Sequence, residues 1–213
     1  MIVFGGGIGG NGPAGLTNDV WIFQDARTNV GNTWQQMTPS GTAPSNRCYH
    51  NAVYDQTNNR MIVFGGDPNV GYCFNDVNDV WVLTNADGTG GMAGWTQLSP
   101  TGTPPSIRSA ASAVYDPTSN RMIIYGGNEQ CLNPTSDLWV LTNANGLGGT
   151  PGWIQLTAAG GGPGPRTGHT ASYDTANNRM ILFGGRLTIG AGTNDTWVLS
   201  NANGLGGIPT WTL

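Results

Sequence analysis

At 213 residues the chain is long enough for one or two domains. Only 9% of it is charged, it contains no Lys, all eight cations are Arg, and the net charge is −4; a phosphate-binding surface, which needs clustered Lys and Arg, is therefore not expected. Apolar runs stay shorter than the ~18 residues of a membrane helix, while 35 Gly and eight Trp point to a turn-rich but packed fold.

In chain order, Met1 opens directly into MIVFGG (1–6), a strand ended by a glycine pair. No leader pattern precedes it, so an export signal is expected to lie outside this chain. NDVWIF (18–23) predicts a second strand, and Trp34 marks a third. RCYHNAVYD (47–55) then begins a unit that recurs, with a strand running from Arg47 to Tyr54. The turn DQTNNR (55–60) follows, where Asp bonds nearby backbone and Asn tolerates left-handed geometry. After it come MIVFGG (61–66), NDVWVL (78–83), an NADG turn (85–88) and Trp95. The pattern repeats from Arg108 with MIIYGG (122–127), SDLWVL (136–141), NANG (143–146) and Trp153. It repeats again from Arg166 with MILFGG (180–185), NDTWVL (194–199), NANG (201–204) and Trp211. The Met residues are spaced by 60, 61 and 58, and all eight Trp fall at repeated positions.

Four short antiparallel strands (a to d) per unit, repeated, are the signature of propeller blades. The glycine pair, the strand after it and the later Trp resemble the kelch repeat, the type found in the central domain of galactose oxidase, across the whole chain. The aromatic of strand c, commonly Tyr in kelch repeats, is Trp here. The long polar c–d loops with their NANG turn resemble kelch-like repeats of extracellular bacterial proteins. The fold expected is all-β: a single kelch-type β-propeller, or propeller fragment, of four blade-like repeats. The units lie at approximately 1–46, 47–107, 108–165 and 166–213, the first lacking its inner strand a. Kelch propellers usually carry more blades. A piece of a larger ring, a compact four-bladed ring and a ring shared by two chains all stay open.

With the scaffold set aside, the b–c loops vary most: 7–17, 67–77, 128–135 and 186–193. Loops of this kind carry function, and kelch propellers often bind at this face. The candidate binding residues are Asp67, Asn69, Tyr72, Asp76, Asn128, Glu129 and Arg186, against the plainer reading of a solvated rim. Asp19, Asp79, Asp137 and Asp195 recur before strand c, and Asp55, Asp116 and Asp174 after strand a; these read as scaffold acids that cap turns or pair with Arg60, Arg121 and Arg179. Arg47, Arg108 and Arg166 head the a strands near the channel mouth. They fit either a clamp for an anionic ligand or, as their repetition favours, a structural bond to neighbouring carbonyls. His50 and His169 share one repeat position whose third copy is Ala111, which indicates packing rather than a metal site.

Gly5 to Gly10 formally matches the dinucleotide-binding glycine pattern, but a strand rather than a helix is expected after it. Cys48, Cys73 and Cys131 all fall at the b–c end, and three thiols leave one over. Pairing of Cys48 with Cys73, or of Cys73 with Cys131, is open, the first being preferred. No metal or other cofactor is indicated. The leading functional expectation is a non-catalytic extracellular or cell-surface binding or scaffold propeller. Its partner would be a protein or a glycan, engaged through the b–c loops, with neither nucleic acid nor membrane. A carbohydrate-active domain of the sugar isomerase or oxidase kind, drawing on Asp67, Asp76 and Glu129, is one alternative. A module that self-associates through open propeller ends is the other.

Overall fold

The computed structural model describes residues 1–7, 15–24, 33–69, 75–130, 133–188 and 191–213. Sheet 1 holds β1 (Ile2–Gly7), β2 (Leu16–Phe23) and β3 (Trp34–Met37). Sheet 2 holds β4 (Asn51–Asp55), β5 (Arg60–Gly66), β6 (Val77–Thr84) and β7 (Gly94–Leu98). Sheet 3 holds β8 (Ser112–Asp116), β9 (Arg121–Glu129), β10 (Asn133–Thr142) and β11 (Gly152–Leu156). Sheet 4 holds β12 (Thr170–Asp174), β13 (Arg179–Thr188), β14 (Ala191–Ser200) and β15 (Thr210–Thr212). Every sheet is an antiparallel meander in chain order, three of them four-stranded and the first three-stranded. Among the described residues there is no α-helix. This is the kelch-type propeller arrangement expected from the repeats, including the reduced first blade.

Period-two alternation sends successive side chains of each strand b to opposite faces, and in sheets 2 and 3 both faces are covered by neighbouring sheets. Ile62, Phe64, Val80 and Val82 of sheet 2 meet Met122, Ile124 and Trp153 of sheet 3 in one core cluster. Equivalent clusters join sheets 1 and 2 and sheets 3 and 4. Each contains an edge-on aromatic pair across the sheet boundary: Phe4 with Trp95 at 5.0 Å, Phe64 with Trp153 at 5.3 Å, and Tyr125 with Trp211 at 5.0 Å. Such pairs add about 0.5–1.5 kcal/mol beyond burial. At the same register in sheet 4, Phe183 is 52% exposed.

The glycine pairs have two steric duties. Gly66 (φ +101°) lies where a Cβ would come within 2.8 Å of the Cys48 carbonyl oxygen of its own sheet. Gly65 (φ +65°) lies where a Cβ would meet the Arg108 carbonyl oxygen of the next sheet at 2.8 Å. Bare backbone at both positions lets the Gly66 amide donate to that Arg108 carbonyl at 2.9 Å, as Gly6 does to Arg47 and Gly127 to Arg166, both at 3.0 Å.

Strand a is shorter than the Arg47-to-Tyr54 span predicts, beginning at Asn51, Ser112 and Thr170. Tyr49, Ala110 and Gly168 adopt φ of 54°, 52° and 65°, which interrupts extended backbone before the ladder begins. The residues ahead of that kink form isolated bridges: Cys48 with Asp67, Ser109 with Asn128 and Thr167 with Arg186.

Candidate functional site at the b–c end

The meander order puts the b–c and d–a connections at one end of the sheets and the a–b and c–d connections at the other. At the b–c end Arg47, Arg108 and Arg166 are each only 1% exposed, so they are not a ligand clamp at a channel mouth. Arg108 Nη1 and Nη2 donate to the two carboxylate oxygens of Asp137 at 2.7 and 2.8 Å, and Nη1 also reaches the Gly126 carbonyl at 2.9 Å. Arg47 holds Asp79 and Gly65 in the same way, and Arg166 holds Asp195 and Gly184. The strand-c indole completes the unit: Trp139 Nε1 donates to Asp137 at 2.5 Å. Burial pushes Asp137 up, but the hydrogen bonds and charge of Arg108 outweigh it and hold the carboxyl below the usual carboxylate range, and the Arg166 hydrogen bonds do the same for Asp195.

The expected pairing of acids with Arg60, Arg121 and Arg179 is corrected accordingly. Arg60 and Arg121 donate to the Asn145 and Asn203 carbonyls of the next sheet, both at 2.9 Å. Asp55, Asp116 and Asp174 do cap the a–b turns, through backbone amides of Thr57, Thr118 and Ala176. His50 and His169 pack edge-on against Phe4 and Tyr125 at 5.1 and 5.7 Å. Burial, followed by the charge of Arg47 or Arg166, lowers each imidazole to about 4, so both are neutral at pH 7.

Once these repeated contacts are assigned, a group of polar residues remains at the seam between sheets 2 and 3. Asp67 and Asp76 are 1% and 4% exposed, which differs from the solvated rim that loop position suggests. Backbone bonds in both directions tie Asp67 to Cys48, and its Oδ1 accepts from the Asn69 amide at 2.8 Å. Asp76 Oδ2 accepts from the Gln130 amide at 2.8 Å. Its Oδ1 is buried and has no hydrogen-bond partner, and the same holds for Asn128 Oδ1. Burial raises Asp76 above the usual carboxylate range; the Gln130 amide opposes this, and the charges of Asp67 and Glu129 add to it. Ser106 donates its hydroxyl to Glu129. Burial and the Asp67 charge likewise raise Cys48. Arg186 continues the Asp67 and Asn128 register into sheet 4, where it is exposed.

Asp67, Asn69, Asp76, Asn128 and Glu129 thus come together, Arg186 stands one sheet away, and Tyr72 lies outside the described residues. The Cys48–Cys73 and Cys73–Cys131 pairings also lie outside them, since Cys73 and Cys131 do. One residue escapes sequence reasoning: Tyr49, 64% exposed, in a left-handed conformation on the inner rim beside Cys48. Its repeat equivalents, Ala110 and Gly168, carry the signal, because a Gly in one copy marks a position that favours φ > 0. Among the described residues no group of three or more His, Cys, Asp or Glu is arranged to hold a metal ion. A cleft of about 510 Å³ lies elsewhere, between Met1 and Ile2 on one side and Ala52, Val53, Tyr54 and Asp87 on the other. It follows the edge of β1 that has no fourth strand, and so reflects the reduced sheet rather than the polar seam.

The stacked four-stranded meanders, the glycine pairs and the Arg–Asp–Trp units define a kelch-type propeller. The chain matches the KLHDC2/KLHL20/DRC7 Kelch-repeats domain over residues 77–211 and belongs to that family. It is similar to an F-box/kelch-repeat protein of Arabidopsis thaliana, 26% identical over 87% of this chain and 40% of that protein. It is also similar to host cell factor 1 of Homo sapiens, 27% identical over 87% of this chain and 9% of that protein. Dynein regulatory complex subunit 7 of Chlamydomonas reinhardtii is 30% identical over 60% of this chain and 10% of that protein. Among solved structures, YjhT superposes with a TM-score of 0.62 at 15% identity, covering 93% of this chain and 53% of that one. A copper-bound fungal alcohol oxidase of the AA5 family superposes at 0.51 and 14%, covering 90% and 48%. These superpositions establish the fold. The chain spans 40% or less of these curated relatives and about half of each solved structure.

Proposed function

We propose that this chain is a protein-binding propeller module that engages its partner through the b–c end. The observation that carries the reading is the seam between sheets 2 and 3. There Asp76 and Asn128 are buried, each with a side-chain oxygen that the fold itself does not use. Buried polar atoms without partners are uncommon in folded proteins and mark places where something else supplies the bond. The buried arginines Arg47, Arg108 and Arg166 and their acid partners, by contrast, are engaged within their sheets. The kelch relatives support an interaction role, one of them being by name a subunit of a regulatory complex. A protein partner at the b–c end is favoured over a glycan because five indoles suited to stacking on sugar rings are held in the core (Trp81, Trp95, Trp139, Trp153 and Trp211), and the exposed Trp34 heads β3 at the opposite, c–d end. An extracellular or cell-surface setting is part of the proposal, and rests on the likeness of the c–d loops to extracellular bacterial kelch repeats.

The test is hydrogen-exchange mapping of the chain with and without a purified partner. Protection is expected at residues 67–69, 128–130 and around Arg186. Protection confined to the a–b and c–d turns, such as 55–60 and 143–146, would place the binding face at the wrong end.

A further inference from the structure

The seam carries more negative charge than its surroundings neutralise. Arg47 and Arg108, the buried guanidinium groups at this end of sheets 2 and 3, are already forked onto Asp79 and Asp137. Asp67, Asp76 and Glu129 have no Lys, Arg or His ion pair among the described residues. Asp67 and Asp76 are buried, so their field is less screened by water and salt than that of exposed carboxylates. Two oxygens, Asp76 Oδ1 and Asn128 Oδ1, lie on this seam as acceptors without donors, and Asn128 is nine-tenths buried.

Tyr49 is a second, separate feature of the same patch. Its neighbour Cys48 bridges Asp67, and its own carbonyl accepts from the Ala110 amide at 2.8 Å, one residue from the Ser109–Asn128 bridge. A bulky side chain at φ +54° sits where the fourth sheet carries Gly168, so folding alone favours Gly there. The residue that carries the exposed ring is therefore tied through its backbone to the segments that hold these acceptors and carboxylates. An aromatic face next to carboxylates attracts guanidinium and ammonium groups. The charge is spread over several residues that form no metal-type cluster, which suits a side-chain cation better than a bare ion.

We infer that the inner rim of the b–c end, between sheets 2 and 3, is a recognition site for an Arg or Lys side chain of a basic peptide segment. Tyr49 and Glu129 form its contact surface, and Asp67 and Asp76 form its buried negative floor. This rests on the b–c end being the binding face, and it adds the chemistry of the partner.

The test is an NMR titration of the isotope-labelled chain with three probes: a Gly-Ser peptide bearing three Arg, the same peptide bearing three Glu, and one bearing neither. The Arg peptide is expected to shift amides at residues 48–49, 67–69 and 128–130, and to weaken as NaCl rises. Tyr49→Gly should weaken it about 5-fold with Tm unchanged or raised, and Asp76→Asn about 10-fold. Because Gly suits the backbone at position 49, loss of binding there cannot be ascribed to misfolding. Shifts at the b–c end from the Glu peptide but not the Arg peptide would overturn the cationic assignment while leaving the binding face intact. Arg-peptide shifts confined to the opposite end would overturn both. Absence of Arg-peptide binding, or equal binding by the Tyr49→Gly and Asp76→Asn variants, overturns the inference.

Discussion

Replacing His50 and His169 by Ala should flatten the acid sensitivity of this propeller. Both imidazoles sit against aromatic rings beside a buried Arg, and each is lowered from 6.5 to about 4. The unfolded chain takes up protons near 6.5, whereas the folded chain resists until about 4. Stability from neutral burial is therefore complete above the unfolded value and falls as pH drops through it toward the folded value. Between pH 7 and pH 5 this difference amounts to about 2 kcal/mol per histidine, or about 4 kcal/mol for the pair. Carboxylates with unfolded values near 3.8 contribute little in that window, so the histidines dominate it. Ala is tolerated at this register, since the equivalent residue of sheet 3 is Ala111. Urea unfolding at pH 7 and pH 5 measures the difference directly. The parent chain should lose about 4 kcal/mol, single variants about 2, and the double variant close to none. The double variant has a lower absolute stability from lost packing, but the pH slope is the readout. A double variant that keeps the parent slope would refute the assignment of buried, neutral imidazoles.

Two further outcomes test the scaffold. Arg108→Leu leaves Asp137 without its fork and the Gly126 carbonyl without its donor, and should destabilise the chain by about 3–5 kcal/mol. In a chain of this size that corresponds to a Tm loss of roughly 6–20 °C by calorimetry; a change below about 1 kcal/mol would mean that solvent substitutes for the guanidinium. Phe64→Ala should cost about 3–5 kcal/mol in chemical denaturation, because Phe64 is 0% exposed and packs edge-on against Trp153. Phe183→Ala, at the same register but 52% exposed, should cost far less; equal costs would show that Phe183 is covered in solution.

The repeat was legible because its determinants are local and recur. Asx turns, glycine pairs and alternating apolar residues each act within a few positions, and copies at spacings of 58 to 61 residues reinforce one another. Scaffold acids were legible for the same reason, yet their partners were not. Arg108 and Asp137 are 29 residues apart, one ahead of strand a and the other within strand c, and meet only when strands b and c bring the glycine pair between them. Pairing by nearness in sequence pointed to Arg121, which the fold sends to the next sheet.

The candidate site divides along the same line. The variable b–c loops, and the residues that no repeat explains, could be picked out from the sequence by subtraction. Their burial could not, because it depends on the neighbouring sheet: Asp76 meets the Gln130 amide across 54 residues and a sheet boundary. Tyr49 is the sharpest case. The chain by itself places a Tyr, an Ala and a Gly at one repeat position, but only the packed sheets impose the left-handed turn and expose the ring. Local hydrogen bonding and alternation thus determine the blade, whereas contacts between blades decide which polar groups are satisfied and which are left open to a partner.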